Sequence, residues 1–232
     1  MPGFPAAADA MPVLVVLAAG ASSRLGAPKA LADLAGSSVL ERLLGSGAAA
    51  GLQERAVVGG CHQAEIQRAL KALKDAGKPS ARSLFYGDWA AGRTGSLARA
   101  VRAYPGRAIV LAPADVPLVA PCTFRALKSA WHAAQHPARA WIAPYLMPAD
   151  PPAHAASVGL PRQRRFGHPV LLGPALAART ASLAPEASLR GLRDEAEPLL
   201  GVPVPDAGIL DDLDTPEDLR ALQERLSDSS GD

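Results

Sequence analysis

Residues 13–29 read V-L-V-V-L-A-A-G-A-S-S-R-L-G-A-P-K and carry the strongest strand signal in the chain. The unbroken aliphatic run from Val13 to Leu17 predicts a central parallel strand that is buried on both faces. The small residues behind it allow a ligand to approach the backbone, whose N–H groups can bind phosphate oxygens. Arg24 adds a planar fork of donors and Lys29 a compact ammonium group. The stretch therefore predicts a phosphate-binding loop that can hold a triphosphate.

Two other glycine-rich nucleotide loops do not match this stretch. The P-loop has its lysine directly after the second glycine, whereas Ala27 and Pro28 separate Gly26 from Lys29 here. The dinucleotide fingerprint has a glycine where this chain has Ser22. An ordinary strand-to-helix turn with two solvated cations is the alternative interpretation of these residues.

Composition restricts the classes of protein that fit. The 232 residues are 49% hydrophobic and 20% charged, which is typical of a globular domain with a sizeable core. The formal net charge of +2 is too small to indicate a nucleic-acid partner. Cys61 and Cys122 form neither a disulfide framework nor a metal-ligand spacing, so we expect a reducing, cytoplasmic location.

The N-terminal region carries no targeting signal that we recognise. Residues 1–12 lack a basic segment and the apolar run behind them ends at Gly20, so neither a signal peptide nor a membrane span is predicted. We expect a flexible N-terminus over residues 1–11, a single domain over 12–226 and a flexible tail over 227–232.

Strand and helix patterns alternate along the chain after the first loop. Strands are predicted at residues 55–60, 81–86, 108–112, 140–145 and 199–204, with amphipathic helices between most of them. Thr215, Pro216 and Asp218 mark the start of a last helix. The alternation predicts an α/β fold of three layers, Rossmann-like, with a mostly parallel sheet.

A carboxylate follows the second strong strand signal, residues 108–112. Ligands of open α/β sheets bind beyond the carboxyl ends of the strands, which is where Asp115 lies. A carboxylate there can hold Mg²⁺ against a triphosphate on the neighbouring loop. A lone aspartate after a strand is otherwise typical of a turn or a helix cap.

The chain resembles the MobA-like nucleotidyltransferases, and among them most closely the molybdenum cofactor cytidylyltransferases. The resemblance rests on motifs that follow one another in the family's order: the loop carrying Arg24 and Lys29, the stretch Trp89–Leu97, Asp115-Val116-Pro117, Gly167-His168-Pro169 and the D-L-D-T-P-E-D run at 212–218. Guanylyltransferases usually read Ala-Gly-Gly where this chain reads Ala18-Ala19-Gly20, which favours cytidylyl over guanylyl transfer.

This resemblance implies a nucleotidyltransferase that moves CMP from CTP to a molybdopterin-type cofactor with release of pyrophosphate and with Mg²⁺. The implied catalytic residues are Arg24, Lys29 and Asp115. The implied metal ligands are Asp115 and Asp212, with Asp214 as support. The implied nucleotide contacts are Leu17, Ala18, Ala19, Gly20, Ser22, Arg24 and Lys29. A molybdoenzyme or its chaperone is the protein partner that such a role implies.

Residues on the acceptor side depart from the family's pattern. Arg93 adds a cation where an apolar residue is common, and Phe166 stands where an arginine usually precedes Gly-His-Pro, so Arg165 is its expected substitute. The expected acceptor-binding residues are Arg93, Ser96, Arg165 and His168, beside the basic cluster 162–165. Guanylyl transfer and transfer to another small phosphorylated acceptor are the alternatives among enzymes. A non-catalytic chaperone that carries the cofactor is a further alternative, which Arg93, Thr94 and Ala114 keep open.

Overall fold

The computed structural model describes residues 11–146 and 164–228. Its strands are β1 (Val13–Ala18), β2 (Asp33–Leu34), β3 (Ser37–Ser38), β4 (Arg55–Gly59), β5 (Arg82–Phe85), β6 (Ile109–Pro113), β7 (Trp141–Leu146), β8 (Arg165–Phe166), β9 (Val170–Leu172) and β10 (Leu199–Val204). Its α-helices are α1 (Val39–Ala49), α2 (Gln63–Asp75), α3 (Arg93–Ala103), α4 (Pro121–Ala133), α5 (Pro174–Arg179), α6 (Gly191–Asp194) and α7 (Pro216–Asp228).

One large sheet carries the fold. Its strands follow the order β10-β7-β9-β6-β1-β4-β5, and β8 pairs with β7 outside this path. Strand β1 lies between β4 and β6 and is parallel to both. Within the described residues, β9 runs antiparallel to its neighbours β6 and β7. The mostly parallel α/β sheet is therefore confirmed; β9 was not predicted as a strand, because three apolar residues are too short a signal.

Helices cover both faces of this sheet. On β1, Leu14 and Val16 face the core formed with α1, α2, α4 and α7, whereas Val13 and Val15 face the core formed with α3, α5 and α6. All four side chains are fully buried, as an aliphatic run without polar alternation predicts. The three-layer arrangement is confirmed.

Local sequence signals fix several helix ends. Helix α1 begins after Ser38, whose hydroxyl accepts a hydrogen bond from the Glu41 N–H at 3.1 Å. Helix α7 begins at a reciprocal cap, because the Asp218 carboxylate accepts from the Thr215 N–H and the Thr215 hydroxyl accepts from the Asp218 N–H. Helix α3 begins at Arg93, directly after Gly92.

The segment after β10 returns to the carboxyl ends of the central strands. The buried Asp206 carboxylate accepts hydrogen bonds from Ala120 N–H, Thr123 Oγ1 and Gly208 N–H. Further along, the Leu213 N–H donates to the Asp115 carbonyl at 2.8 Å. These bonds bring two distant parts of the sequence together beside β6. Among the described helices, none is both long and apolar enough to cross a membrane.

Candidate functional site

The loop after β1 is held by its own backbone and by Ser22. Ser22 has a φ of 53°, a conformation that non-glycine residues rarely adopt, and Gly26 has a φ of 76°. The Ser22 carbonyl accepts hydrogen bonds from the N–H groups of Leu25 and Gly26, both at 3.1 Å. The Ser22 hydroxyl accepts one from the Lys29 N–H at 3.0 Å. Ser22 thus sets the path of the chain from Arg24 to Lys29.

Asp214 joins the two cations of this loop. Its carboxylate lies 2.6 Å from the Arg24 guanidinium and also forms an ion pair with the Lys29 ammonium. The hydrogen bond from Lys29 is the main cause that lowers the pKa of Asp214, and the nearby Arg24 adds to it. Asp214 therefore stays ionised and holds both cations on the same side of the loop.

Three carboxylates meet next to these cations. One oxygen from each of Asp115, Asp212 and Asp214 lies within 4.8 Å of the others. The Leu213 backbone bond to Asp115 produces this approach, since Leu213 is fully buried between Asp212 and Asp214. Desolvation raises the pKa of Asp212, and the charges of Asp214 and Asp115 raise it further. Carboxylate oxygens so arranged fit a hard divalent cation such as Mg²⁺ or Mn²⁺, which would relieve their mutual repulsion.

A cleft of about 270 Å³, which we call the loop cleft, opens between the loop and the end of β6. Its lining includes Leu17, Ala18, Ala19, Gly20, Ser22, Arg24, Lys29, His62, Trp89, Arg93, Ser96 and Asp115. Every residue predicted to contact the nucleotide therefore lines this cleft, together with the predicted metal ligand Asp115.

The wall of the loop cleft is tightly packed at Ala19. The Ala19 carbonyl accepts a hydrogen bond from the Cys61 N–H at 3.0 Å. A Cβ added to Gly60 would lie 2.6 Å from both the Ala19 carbonyl oxygen and the Trp89 Cβ, so no side chain fits there. A Cβ added to Gly20 would meet nothing within 4 Å, which leaves the space above Gly20 open to a ligand.

A second, larger cavity of about 920 Å³ lies beside the loop cleft, and we call it the arginine cavity. Its basic lining residues are Arg93, Arg164, Arg190 and Arg193, and Glu186 is the carboxylate among the described lining residues. Trp141 and Phe166 supply aromatic surface. Arg93 lines both the loop cleft and the arginine cavity, so the two spaces meet at its side chain.

His168 lines the arginine cavity and interacts electrostatically with both Asp115 and Arg93. Burial is the main cause that lowers the pKa of His168; the Asp115 charge opposes this effect and the Arg93 charge adds to it. The imidazole is therefore neutral at pH 7. Its Nδ1 atom is buried and has no hydrogen-bond partner among the described residues.

The predicted acceptor residues do not all share one space. Arg93 and His168 line the arginine cavity, whereas Ser96 is buried and lines the loop cleft. Arg165 lies on β8 and is absent from the described lining of both spaces, while its neighbour Arg164 lines the arginine cavity. The prediction for Arg162 falls outside the described residues.

Sequence reasoning missed Arg190 and Arg193 as site residues. They lie in and just before the four-residue helix α6, which carries no ligand motif, and the contacts of residues 185–187 with the start of α3 hold this segment beside the cavity. It also underestimated Asp214, which contacts both cations directly. The sequence did contain a signal for Asp214. The side chains of Thr215 and Asp218 are sufficient to cap the last helix, so the Asp214 carboxylate was available for another role.

The fold and the site define a nucleotidyltransferase with an α/β architecture. The model of the MobA-like NTP transferase domain matches residues 14–199, so the chain belongs to this family. A search of curated proteins finds no match.

Solved structures share this fold. Rv0371c from Mycobacterium tuberculosis is 25% identical with a TM-score of 0.70, over 92% of this chain and 98% of that one. The structure of Rv0371c in complex with manganese is 26% identical with a TM-score of 0.65, over 91% of this chain and 97% of that one. A nucleotidyl transferase from Methanothermobacter, Mth528, is 22% identical with a TM-score of 0.68, over 94% of this chain and 99% of that one.

A more distant protein also has this fold; it and Mth528 are similar to this chain in fold alone. Molybdopterin-guanine dinucleotide biosynthesis protein A from Archaeoglobus fulgidus is 17% identical with a TM-score of 0.60, over 93% of this chain and 99% of that one.

Proposed function

We propose that this chain transfers CMP from CTP to the phosphate of a molybdopterin-type acceptor in the presence of Mg²⁺ and releases pyrophosphate. The observation that carries the proposal is the convergence of Arg24, Lys29 and three carboxylates at one end of the loop cleft. Cations and a divalent-metal site at one point are what a triphosphate requires.

In this reaction an oxygen of the acceptor phosphate attacks the α-phosphorus of CTP. The bond from the α-phosphorus to the bridging oxygen breaks, and pyrophosphate leaves with that oxygen. No general base is required, because the attacking phosphate is already an anion. The task of the protein is to position the two phosphates and to neutralise their charge.

Arg24 and Lys29 are the residues we propose for that neutralisation, with Asp214 as the residue that positions them. Asp115 and Asp212 would hold Mg²⁺, with Asp214 within reach. When bound, this ion supplies further positive charge to the phosphate oxygens. The manganese complex of Rv0371c supports a divalent metal in a related protein.

The choice of CTP rests on the wall at Ala19. The Cys61 hydrogen bond fixes the Ala19 carbonyl, and Trp89 packs against Gly60 behind it. A wall held this close favours the smaller pyrimidine base over guanine. A pocket that hydrogen-bonds one base leaves polar groups unpaired with another, at about 1–3 kcal/mol for each buried group.

The arginine cavity is our proposed acceptor site. It opens onto the loop cleft at Arg93, so an acceptor phosphate can reach the nucleotide while the rest of the molecule stays in the cavity. His168 offers a neutral ring and Trp141 and Phe166 offer apolar surface to a flat heterocycle. We propose that a molybdoenzyme or its chaperone receives the product.

A competition of CTP, GTP, ATP and UTP for Mg²⁺-dependent binding tests this proposal. We expect CTP to bind more tightly than each of the others by about tenfold or more. Preference for GTP would instead support guanylyl transfer to the same type of acceptor. Equal affinity for all four would contradict the cytidylyl assignment, and tight binding without turnover on any acceptor would favour a cofactor-carrying chaperone.

A further inference from the structure

Some arginines of the described residues form an ion pair with a carboxylate. Arg179, for example, pairs with Glu195 at 2.7 Å. Arg93, Arg190 and Arg193 line the cavity, and within residues 11–146 and 164–228 no carboxylate forms an ion pair with any of them. Three arginines that form no ion pair within the described residues thus line one space, which also contains the carboxylate Glu186.

The segment that carries two of these arginines is anchored. Leu192, between Arg190 and Arg193, is 1% exposed and packs in the core on the α3 side of the sheet. The Thr94 hydroxyl of α3 donates a hydrogen bond to the Ala187 carbonyl at 2.6 Å. The arginines therefore project from a fixed base, so less conformational entropy is lost when they bind a ligand.

Residues 185–187 pack closely against the start of α3, and this packing explains why positions 92 and 95 are glycines. A Cβ on Gly92 would collide with the Pro185 carbonyl oxygen and would lie 3.0 Å from the Glu186 Cα. A Cβ on Gly95 would collide with the Tyr86 hydroxyl and would lie 3.1 Å from the Pro185 Cβ. Gly92 and Gly95 thus let the arginine-bearing segment sit directly on the start of α3, beside Arg93.

The charge of the cavity exceeds what one phosphate requires. Of the described lining residues, four are arginines and Glu186 is the carboxylate. Arg164 stacks over the Tyr145 ring with 4.8 Å between its guanidinium carbon and the ring centroid. Arg190 and Arg193 are absent from the described lining of the loop cleft, so the phosphate that enters at Arg93 leaves them without a partner.

We propose that the acceptor carries a second anionic group, separate from its attacking phosphate, and that Arg190 and Arg193 bind it. This inference rests on the proposed function only in taking the arginine cavity as the acceptor site. The acceptor is then a flat or apolar molecule with a phosphate at one end and another anion at a distance from it. Trp141 and Phe166 contact its body.

Two aromatic probes test this inference directly. Phenyl phosphate carries a ring and one anion, and 4-carboxyphenyl phosphate adds a second anion across the ring. Each is titrated calorimetrically into the full chain saturated with Mg²⁺ and α,β-methylene CTP, which fills the loop cleft and cannot transfer CMP. The variants are Arg190→Gln/Arg193→Gln and, as a control that removes the same charge from exposed positions, Arg68→Gln/Arg102→Gln.

We expect the unmodified chain and the control to bind 4-carboxyphenyl phosphate about tenfold more tightly than phenyl phosphate, the effect of one charge-assisted contact. In Arg190→Gln/Arg193→Gln this preference should disappear while affinity for phenyl phosphate stays the same. Equal affinity of the unmodified chain for both probes, no binding of either probe, or a preference that survives in the double variant would overturn the inference. A GTP preference in the nucleotide competition, with the probe preference intact, would remove the cytidylyl assignment and leave this inference standing.

Discussion

The loop cleft and the arginine cavity meet at Arg93, but their residues come from the sequence in different ways. The loop cleft takes much of its backbone wall and the cations Arg24 and Lys29 from one stretch, residues 17–29. The arginine cavity takes its lining from α3, β6, β7, the 164–170 segment and residues 186–201. The part of a site that comes from one stretch can be inferred from its spacing, whereas a site assembled from several segments depends on how they pack.

The two spaces also differ in the chemical groups that they offer to a ligand. The loop presents backbone groups whose positions are fixed by Ser22 and by the hydrogen bond between Ala19 and Cys61. The arginine cavity presents the exposed side chains of Arg190 and Arg193. We therefore expect changes in the loop cleft to affect catalysis broadly, and changes in the arginine cavity to affect the choice of acceptor.

The largest effect is expected from Lys29→Ala. Its ammonium group pairs with Asp214 inside the loop cleft, and loss of one preorganised charge of this kind lowers turnover by about 100- to 1,000-fold. Steady-state kinetics of pyrophosphate release measure this, and chemical unfolding measures stability in parallel. Lys71→Ala, which removes a surface lysine paired with Asp75, is the control. A loss of activity that only follows a loss of stability would make Lys29 structural.

Asp115→Asn should have the next largest effect, on metal binding. The variant keeps the size of the side chain and the backbone bond to Leu213 but removes one charge from the carboxylate cluster. We expect Mn²⁺ affinity in the presence of CTP to fall more than about tenfold, as loss of even an outer partner does at metal sites. Asp75→Asn serves as the surface control. Unchanged affinity would assign the ligand role to Asp212 and Asp214.

Gly20→Ala tests whether the glycine at this position is required for nucleotide binding or for the stability of the fold. The added methyl group would meet no protein atom within 4 Å, so the free energy of unfolding should hardly change. In the loop cleft the same methyl group occupies space for the nucleotide, and CTP affinity should fall about tenfold. Gly45→Ala, also without a contact within 4 Å, should leave CTP affinity unchanged. If Gly20→Ala bound CTP normally, the nucleotide would not approach the backbone there.

The order of strands and helices followed from the sequence because each signal was local. The run Val13–Leu17 needs no partner to indicate a buried strand, and Ser38 and Thr215 cap helices within their own turns. Strand β9 could not be predicted, since a three-residue antiparallel strand is defined by the neighbours that it joins.

The same argument explains which site residues could be predicted. The cations of the loop and Asp115 follow strands directly, so their place at the sheet edge is implied by the chain itself. Arg190 and Arg193 follow residues 185–187, whose contact with the start of α3 depends on Gly92 and Gly95, and such a contact is a property of the folded molecule. Arg164 rather than Arg165 lines the cavity because neighbouring residues of an extended segment point in opposite directions.

The smallest effect is expected from Thr94→Val, which tests the contact between α3 and the arginine-bearing segment. Thr94 is fully buried and its hydroxyl donates to the Ala187 carbonyl, so valine keeps the volume and leaves that carbonyl without its donor. We expect the chain to lose about 1–2 kcal/mol of unfolding free energy. Because the segment then moves more freely, the preference for 4-carboxyphenyl phosphate should fall about threefold while CTP affinity is retained.

Thr180→Val is the matched control for this change. Its hydroxyl is also buried and donates to the Ala177 carbonyl, but neither residue lines the arginine cavity. A similar loss of stability without a change in probe preference is expected from it. If both variants altered the preference equally, the effect would reflect general loosening of the chain. If Thr94→Val weakened CTP binding instead, the start of α3 would belong functionally to the loop cleft, and the division between the two spaces at Arg93 would be wrong.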